Sequence, residues 1–186
     1  MNKAVFLDKD GTIIEDVGYI QSPSQIKFID GSIEAIKKLN QAGYKVVIIS
    51  NQSGIARGMV TENAIHHVDK TLHKHILNGG AHLDGIYFCP HHPEHGLHPY
   101  KKSCECRKPH PGLIKKAEHD LKIDLSMSFM IGDKATDIEA GQKAGVKTVL
   151  VLTGRGPEEK SKIKEKPDHI ANKLSDAIDW ILGLPA

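Results

Sequence analysis

The sequence is poor in aromatic residues, which make up 5 % of its 186 positions with a single tryptophan, and it has only three cysteines. So few aromatics leave little with which to stack unpaired bases, and a groove for single-stranded nucleic acid is not expected. Neither charge dominates: 25 Lys and Arg stand against 23 Asp and Glu, a net +2 with histidine neutral, whereas polyanion binders carry a strong basic excess. Long apolar runs are missing too. None exceeds the four residues of Val46–Ile49 and Val149–Leu152, while a bilayer-spanning helix needs ~20. At the amino end the apolar stretch is only Ala4–Leu7, short of the ~7–15 residues of a secretory signal. There is no internal repeat and no low-complexity segment. Hydrophobic residues are 39 % and charged residues 26 %, a balance that excludes disorder. The expectation is one domain over residues 1–186, cytoplasmic, with no membrane or nucleic-acid partner. A monomer is expected because no long exposed apolar face is legible.

What is present is an alternation of strand and helix patterns. Ala4–Leu7, Lys45–Ser50, Gly85–Phe88, Ser128–Ile131 and Val146–Leu152 read as strands, with Ile170 in a short last one. Between them Ser32–Gln41, Glu62–Leu77 behind an N-cap at Thr61, Pro111–Leu121, Ala135–Ala144 and Leu174–Leu182 read as helices, several stopped by glycine. Trp180 is expected to pack the last helix onto the sheet. The charge-rich Glu158–Lys166 reads as a solvated face, and His66, His67, His73 and His75 as surface or packing residues. Apolar strands alternating with helices predict an α/β fold, a Rossmann-like three-layer sandwich around a mostly parallel sheet. In such sheets ligands bind at the carboxyl ends of the strands.

Four of those ends carry polar motifs. The first strand runs into Asp8-Lys9-Asp10-Gly11-Thr12. Two carboxylates so close repel each other and want a cation, and oxygen ligands beside a phosphate suit Mg²⁺. Gly11 lets the chain turn sharply there. The second strand runs into Ser50-Asn51-Gln52-Ser53-Gly54, a set of neutral donors suited to phosphoryl oxygens. Arg107 and Lys108 precede the helix that starts near 111, where a cation opposes the helix dipole but suits a bound anion. The fourth strand ends at Gly132-Asp133-Lys134, with Asp137 one turn further on. An acid pair, a hydroxyl, a lysine and a further acid at successive strand ends point to phosphoryl chemistry rather than to four ordinary loops.

These motifs, in this order, resemble those of the haloacid dehalogenase-like phosphatases. The wording is closer still. SNQSGIARG at 50–58, CPHHP at 89–93, CxCRKPHPG at 104–112 and GDKxTDIEAG at 132–141 resemble the branch of that family that acts on heptose bisphosphates, from about residue 3 to 153. The resemblance implies a Mg²⁺-dependent phosphatase for a small-molecule sugar bisphosphate. It would remove the C7 phosphate of a heptose 1,7-bisphosphate on the way to ADP- or GDP-activated heptose. It also implies that Asp8 is the nucleophile. Asp10 protonates the leaving oxygen and later deprotonates the attacking water. Ser50 and Lys108 bind the transferring phosphoryl oxygens. Mg²⁺ is held by Asp8, the Asp10 carbonyl and Asp133, while Asp137 orients Lys108 or Lys134 or supports the metal. Substrate contacts extend to Asp16, Val17, Gly18 and Tyr19, to Asn51, Gln52 and Ser53, and to Arg107 and Lys134. Several relatives have threonine where this chain has Ser50, and both present a hydroxyl.

Residues Pro90–Pro109 interrupt the alternation with four prolines and no periodicity, and so long an irregular loop needs a tie. Cys89-x-His91 and Cys104-x-Cys106, 12 residues apart, can supply it. Three thiolates and one imidazole complete a tetrahedral zinc set with no open position, which predicts a structural Zn²⁺ on loop 89–106 and leaves the chemistry to Mg²⁺. His91 matches the family's ligand, and His92, His95 and His98 are close enough to compete. The stretches from Thr12 to Ser50 and from Ser50 to Lys108 leave no room for a large cap domain. Two rival readings remain: histidinol-phosphate phosphatase, which shares the metal-loop plan with a shorter loop, and a non-catalytic zinc-stabilised binding module.

Overall fold

A computed structural model describes residues 1–185. Six strands lie side by side, all parallel, in the order β3-β2-β1-β4-β5-β6. They are β1 (Ala4–Leu7), β2 (Lys45–Asn51), β3 (Gly85–Cys89), β4 (Phe129–Gly132), β5 (Lys147–Val151) and β6 (His169–Ala171). Successive residues on a strand face opposite sides of the sheet. Val5, Leu7, Val46, Ile48 and Ile131 therefore enter one apolar core, and Ala4, Phe6, Val47, Ile49 and Met130 enter the other.

The two cores are closed by helices. On the first face α1 (Ser32–Gln41), α2 (Glu62–Asn78) and α6 (Leu174–Leu182) contribute Ile36, Leu39, Ile65, Leu72, Ile178 and Ile181. On the second, α3 (Gly112–Leu121) and α4 (Ala135–Ala144) contribute Leu113, Ile114, Ala117 and Ala140. Helices on both faces are what parallel crossovers require, and they give the three layers read from the sequence. Burying a side chain of this size contributes roughly 1.5–3 kcal/mol. The wholly buried β1 at the sheet centre is accordingly the firmest base in the fold.

Local chemistry sets the helix ends. The Thr61 hydroxyl accepts the Ala64 N–H at 3.1 Å and starts α2. Asp137 accepts the Lys134 N–H at 3.0 Å and closes the first turn of α4, which stops at Gly145 with φ 83°. Trp180 packs edge-on to Phe129 of β4, ring centres 6.2 Å apart, and stacks on His169 of β6 at 4.5 Å, so α6 is fastened to the sheet as expected.

Several boundaries differ from the sequence reading by one residue. β2 and β3 each run one residue further, because Asn51 and Cys89 still pair in register. β4 begins at Phe129 instead of Ser128, whose hydroxyl accepts the Ala4 N–H at 2.9 Å in place of a strand carbonyl. Val146 is held by the closing bond of α4, its N–H donating to Gly141 O at 3.1 Å, so β5 starts at Lys147. A short helix, α5 (Gly156–Glu159), is not foreseen at all. Glu158–Lys166 is otherwise the solvated face read from the sequence, with only Glu159 and Ile163 partly buried. The Glu159 carboxylate is half-buried and accepts the Ala135 N–H at 3.1 Å, which ties this segment to the start of α4. Among the described residues no helix is long and apolar enough to cross a membrane.

Candidate active site

The carboxyl ends of β1, β2, β4 and β5 converge on one cleft. Asp8 follows β1, and its Oδ1 lies 2.8 Å from Lys108 Nζ. That ammonium also lies 2.7 Å from Asp137 Oδ1 and donates to Ile49 O at 2.7 Å. It thus donates to one carboxylate and one carbonyl and forms an ion pair with a second carboxylate, all in the interior. Burial works against the charge on Lys108, but Asp137 and Asp8 outweigh it and hold its pKa above the ordinary value. Burial likewise works against the Asp8 carboxylate, yet Lys108 and Lys134 outweigh it and hold the Asp8 pKa low.

Asp10 is in the opposite condition. Burial, with the Asp8 charge adding to it, raises its pKa despite Lys9 and Gln52. Gln52 Nε2 donates to Asp10 Oδ2 at 2.9 Å and to Ser50 Oγ at 3.2 Å, so one amide fixes both groups. Two carboxylates two residues apart are thus driven in opposite directions, the pattern that separates a nucleophile from an acid.

Asp133 ends β4 wholly buried, and its Oδ1 accepts no hydrogen bond. Burial and the Asp8 charge push its pKa up to about 7. Gly11, with φ 92°, is needed beside it, since a Cβ there would strike the Asp133 carboxylate. Oxygens of Asp8, Asp133 and Asp137 come within 4.8 Å of one another. Lys134 Nζ lies 3.6 Å from Asp8 Oδ2 and 3.4 Å from Asp133 Oδ1, and donates to the Asp10 carbonyl at 3.2 Å. One cation already contacts the three groups expected to ligate Mg²⁺. Hard oxygens, two of them (Asp133 Oδ1 and Asp137 Oδ1) buried without a hydrogen-bond donor, fit a small divalent cation.

The cysteine loop gathers as a second cluster. Cys89 Sγ is 3.5 Å from Cys104 Sγ and 3.2 Å from Cys106 Sγ, and the last two are 3.3 Å apart. His91 Nδ1 is 3.7 Å from Cys89 Sγ and 3.4 Å from Cys106 Sγ. A tetrahedron of ligands at zinc distances has edges of roughly 3.5–3.8 Å, so the four atoms fit Zn²⁺. Burial and the neighbouring Cys106 thiol push the Cys89 thiol pKa up, as expected of sulfurs crowded together without a cation. His91 is the histidine in the cluster. His92 Nδ1 instead accepts the backbone N–H groups of Glu94 and His95, at 3.2 and 3.1 Å.

The two sites are joined through the chain. Asn51 at the end of β2 donates to Lys108 O at 3.0 Å and accepts the Lys108 N–H at 3.1 Å. Arg107 Nη1 donates to His91 O at 3.1 Å. The loop that carries the cysteine cluster therefore delivers Lys108 to Asp8 from a fixed backbone.

The cleft has a volume of about 400 Å³ and is lined by Asp8, Asp10, Asp16, Gly18, Tyr19, Asn51, Gln52, Ser53, Arg107, Lys108 and Lys134, all singled out from the sequence. Three expected residues are not on its wall. Val17 points out, 40 % exposed; the Ser50 hydroxyl lies against the Gln52 amide; and Asp133 is beneath the surface. Thr136, Asp137, Arg155 and Glu159 also line the cleft. Of these, Arg155 and Glu159 escaped the sequence reading. Arg155 follows β5 in Thr153-Gly154-Arg155. A cation after a glycine at a strand end is the signal that would have found it.

A HAD-hydrolase-like family model matches residues 105–177. A D-glycero-beta-D-manno-heptose-1,7-bisphosphate 7-phosphatase of Pasteurella multocida is 44 % identical over 99 % of this chain and 99 % of its own length. The enzyme of the same name from Escherichia coli K12 is 41 % identical over 97 % of this chain and 88 % of its own. Among solved structures, the D,D-heptose 1,7-bisphosphate phosphatase of B. bronchiseptica, complexed with magnesium and phosphate, superposes with a TM-score of 0.87 at 30 % identity, covering 97 % of this chain and 98 % of that one.

Proposed function

The chain belongs to the family of the D-glycero-beta-D-manno-heptose-1,7-bisphosphate 7-phosphatases, and we propose that it hydrolyses the C7 phosphate of that sugar bisphosphate to leave heptose 1-phosphate. The observation that carries the chemistry is the opposed condition of Asp8 and Asp10. Asp8, kept ionised by Lys108, attacks phosphorus, and the bond from phosphorus to the C7 oxygen breaks. Asp10 gives its proton to that oxygen. The Asp8 acyl phosphate is then hydrolysed by a water whose proton returns to Asp10, with Gln52 holding Asp10 in place. Lys108 and the Ser50 hydroxyl take the non-bridging oxygens, and Asp137 positions Lys108. Asp8, the Asp10 carbonyl and Asp133 would hold Mg²⁺, which would supply positive charge between two anionic reactants.

Cys89, His91, Cys104 and Cys106 would hold a Zn²⁺ with four protein ligands, which would keep Arg107 and Lys108 on the cleft wall. Three thiolates on one metal, with no disulfide among the described residues, support work in a reducing compartment such as the cytoplasm.

The test is phosphate release with Mg²⁺ from the α and β anomers of the heptose 1,7-bisphosphate and from histidinol phosphate. The expected result is the highest kcat/KM on the β anomer, the one the relatives are named for, with no turnover by Asp8→Asn. Preference for histidinol phosphate overturns the substrate. No turnover of any of the three, in wild type and Asp8→Asn alike, overturns the phosphatase reading in favour of a binding module.

A further inference from the structure

A second cavity of about 400 Å³ opens beside the catalytic cleft and shares Asp16, Gly18 and Arg155 with it. Its other lining residues are Ile29, Thr153, Gly154 and Glu15, whose carboxylate is paired with Lys27 at 3.8 Å. The charges along the way alternate. Asp8 Oδ2 is 3.6 Å from Lys134 Nζ, which is 3.6 Å from Asp16 Oδ2, and the same oxygen is 3.5 Å from Arg155 Nε. The row of ions runs from the nucleophile outward and ends on a guanidinium.

Arg155 is rigid at its root and free at its tip. Its backbone N–H donates to Asp133 Oδ2 at 2.8 Å, and Thr153 Oγ1 donates to Gly11 O at 2.6 Å. Between them Gly154, with φ 54°, sits so close that a Cβ would meet the Asp133 carboxylate and lie 2.6 Å from Gly11 Cα. The segment is thus clamped to the motif that carries Asp8 and Asp10. The Arg155 side chain, by contrast, is 60 % exposed, and among the described residues its one ionic partner is Asp16, reached through Nε alone. The two terminal nitrogens, the fork that matches a phosphate, are uncommitted. Arg107 on the zinc loop is less available, because one of its terminal nitrogens already serves the His91 carbonyl.

We infer that Arg155 binds the far end of the substrate: it takes the second phosphate of a sugar bisphosphate, in the space between Asp16 and Thr153–Arg155, while the reacting phosphate lies at Asp8 and Lys108. This rests on the proposed function, which supplies a substrate with an anion at each end. Asp16 is the counterion that Arg155 exchanges for that phosphate, and it keeps Lys134 paired meanwhile.

The experiment compares kcat/KM for the heptose 1,7-bisphosphate with that for the heptose 7-monophosphate, in wild type, Arg155→Gln and Arg155→Lys. Wild type is expected to prefer the bisphosphate. Arg155→Gln is expected to lose roughly tenfold or more of that preference, through KM, and Arg155→Lys to keep part of it. Mg²⁺ dependence and Tm of both variants check that Asp133, which contacts only the Arg155 backbone, still holds its place. A wild-type preference left unchanged in Arg155→Gln overturns the role of Arg155 while the proposed function stands. A wild type that does not distinguish the two sugars overturns the bisphosphate reading and this inference with it.

Discussion

Lys9 and Asp69 form an ion pair inside the protein, Nζ to Oδ1 2.9 Å, with the lysine wholly buried. Lys9 stands between the nucleophile and the acid in the chain, yet its amine is taken by α2. Burial opposes its charge, but Asp10 and Asp69 outweigh it and hold its pKa above the ordinary value. Removing Asp69 leaves an uncompensated ammonium in the interior. Asp69→Ala is expected to destabilise the fold by about 3–5 kcal/mol, read from the urea midpoint. Lys9→Met combined with Asp69→Leu is expected to recover most of the loss. A single variant within ~1 kcal/mol of wild type, the range of an exposed pair, would show that the ion pair does not bind α2 to the first motif.

Stability without Mg²⁺ is expected to fall as pH rises. Folding moves Asp133 from an ordinary carboxylate pKa of 3.8 to about 7. Between those values the folded state holds a proton that the unfolded state has released, so deprotonation on the way up costs stability. The slope from this one group reaches up to about 1.4 kcal/mol per pH unit. Asp10 and Asp137, also raised, act in the same direction. Mg²⁺ replaces the proton, so its stabilising effect grows with pH. Urea midpoints from pH 5 to 8, with and without Mg²⁺, measure both effects. A slope no shallower in Asp133→Asn than in wild type refutes the assignment to Asp133.

Cys106→Ser takes one corner from the sulfur–imidazole cluster. Lys108 follows two residues later, and only Asn51 would then hold its backbone. The expected outcome is loss of bound Zn²⁺, a lower Tm and a fall in kcat of at least tenfold at saturating Mg²⁺. Metal content and turnover on the same preparation decide it. A zinc-free variant with full kcat and unchanged Tm would mean that the metal does not position Lys108.

Gly154→Ala adds a methyl group where the Asp133 carboxylate and Gly11 already sit, at a backbone φ of 54° that favours glycine. Displacing Asp133 moves one of the groups proposed to hold Mg²⁺. The expected result is a Mg²⁺ requirement raised about tenfold or more, with Zn²⁺ content untouched. Magnesium titrations of activity and metal analysis check it, and an unshifted titration refutes the close packing as a functional constraint.

Much of this was legible in the sequence for a simple reason. A strand buried on both faces must be apolar throughout, so Ala4–Leu7 and Val46–Ile49 announce themselves. A polar residue that follows such a run lands at the binding edge, as Asp8, Ser50 and Asp133 do. What escaped depends on tertiary partners. Nothing local says that Asn51, read as a substrate contact, clasps the Lys108 backbone across 57 positions. Nothing says that Glu159 caps a helix 24 residues before it. The segment after β5 has no hydrophobic period, so the orientation of Arg155 follows from its fit against Gly11 and Asp133, and the placing of α5 from the tie between Glu159 and Ala135. Strand ends shifted by a residue because the neighbouring strand decides how far pairing continues.

The central position of β1 also governs when the protein can work during its own synthesis. One neighbour, β2, follows soon in the chain. The other, β4, pairs Val5 with Phe129 and takes the Asp8 N–H onto Ile131 O at 2.9 Å. A growing chain on the ribosome can therefore assemble β1, β2 and β3 while one side of β1 stays bare. Until β4 emerges, that unfinished half carries Asp8 and Asp10 without Asp133 and presents an apolar strand edge that another nascent chain could pair with. Asp133 reaches Asp8 in the same step that closes the edge, so assembly of the candidate site and escape from misassembly are one event.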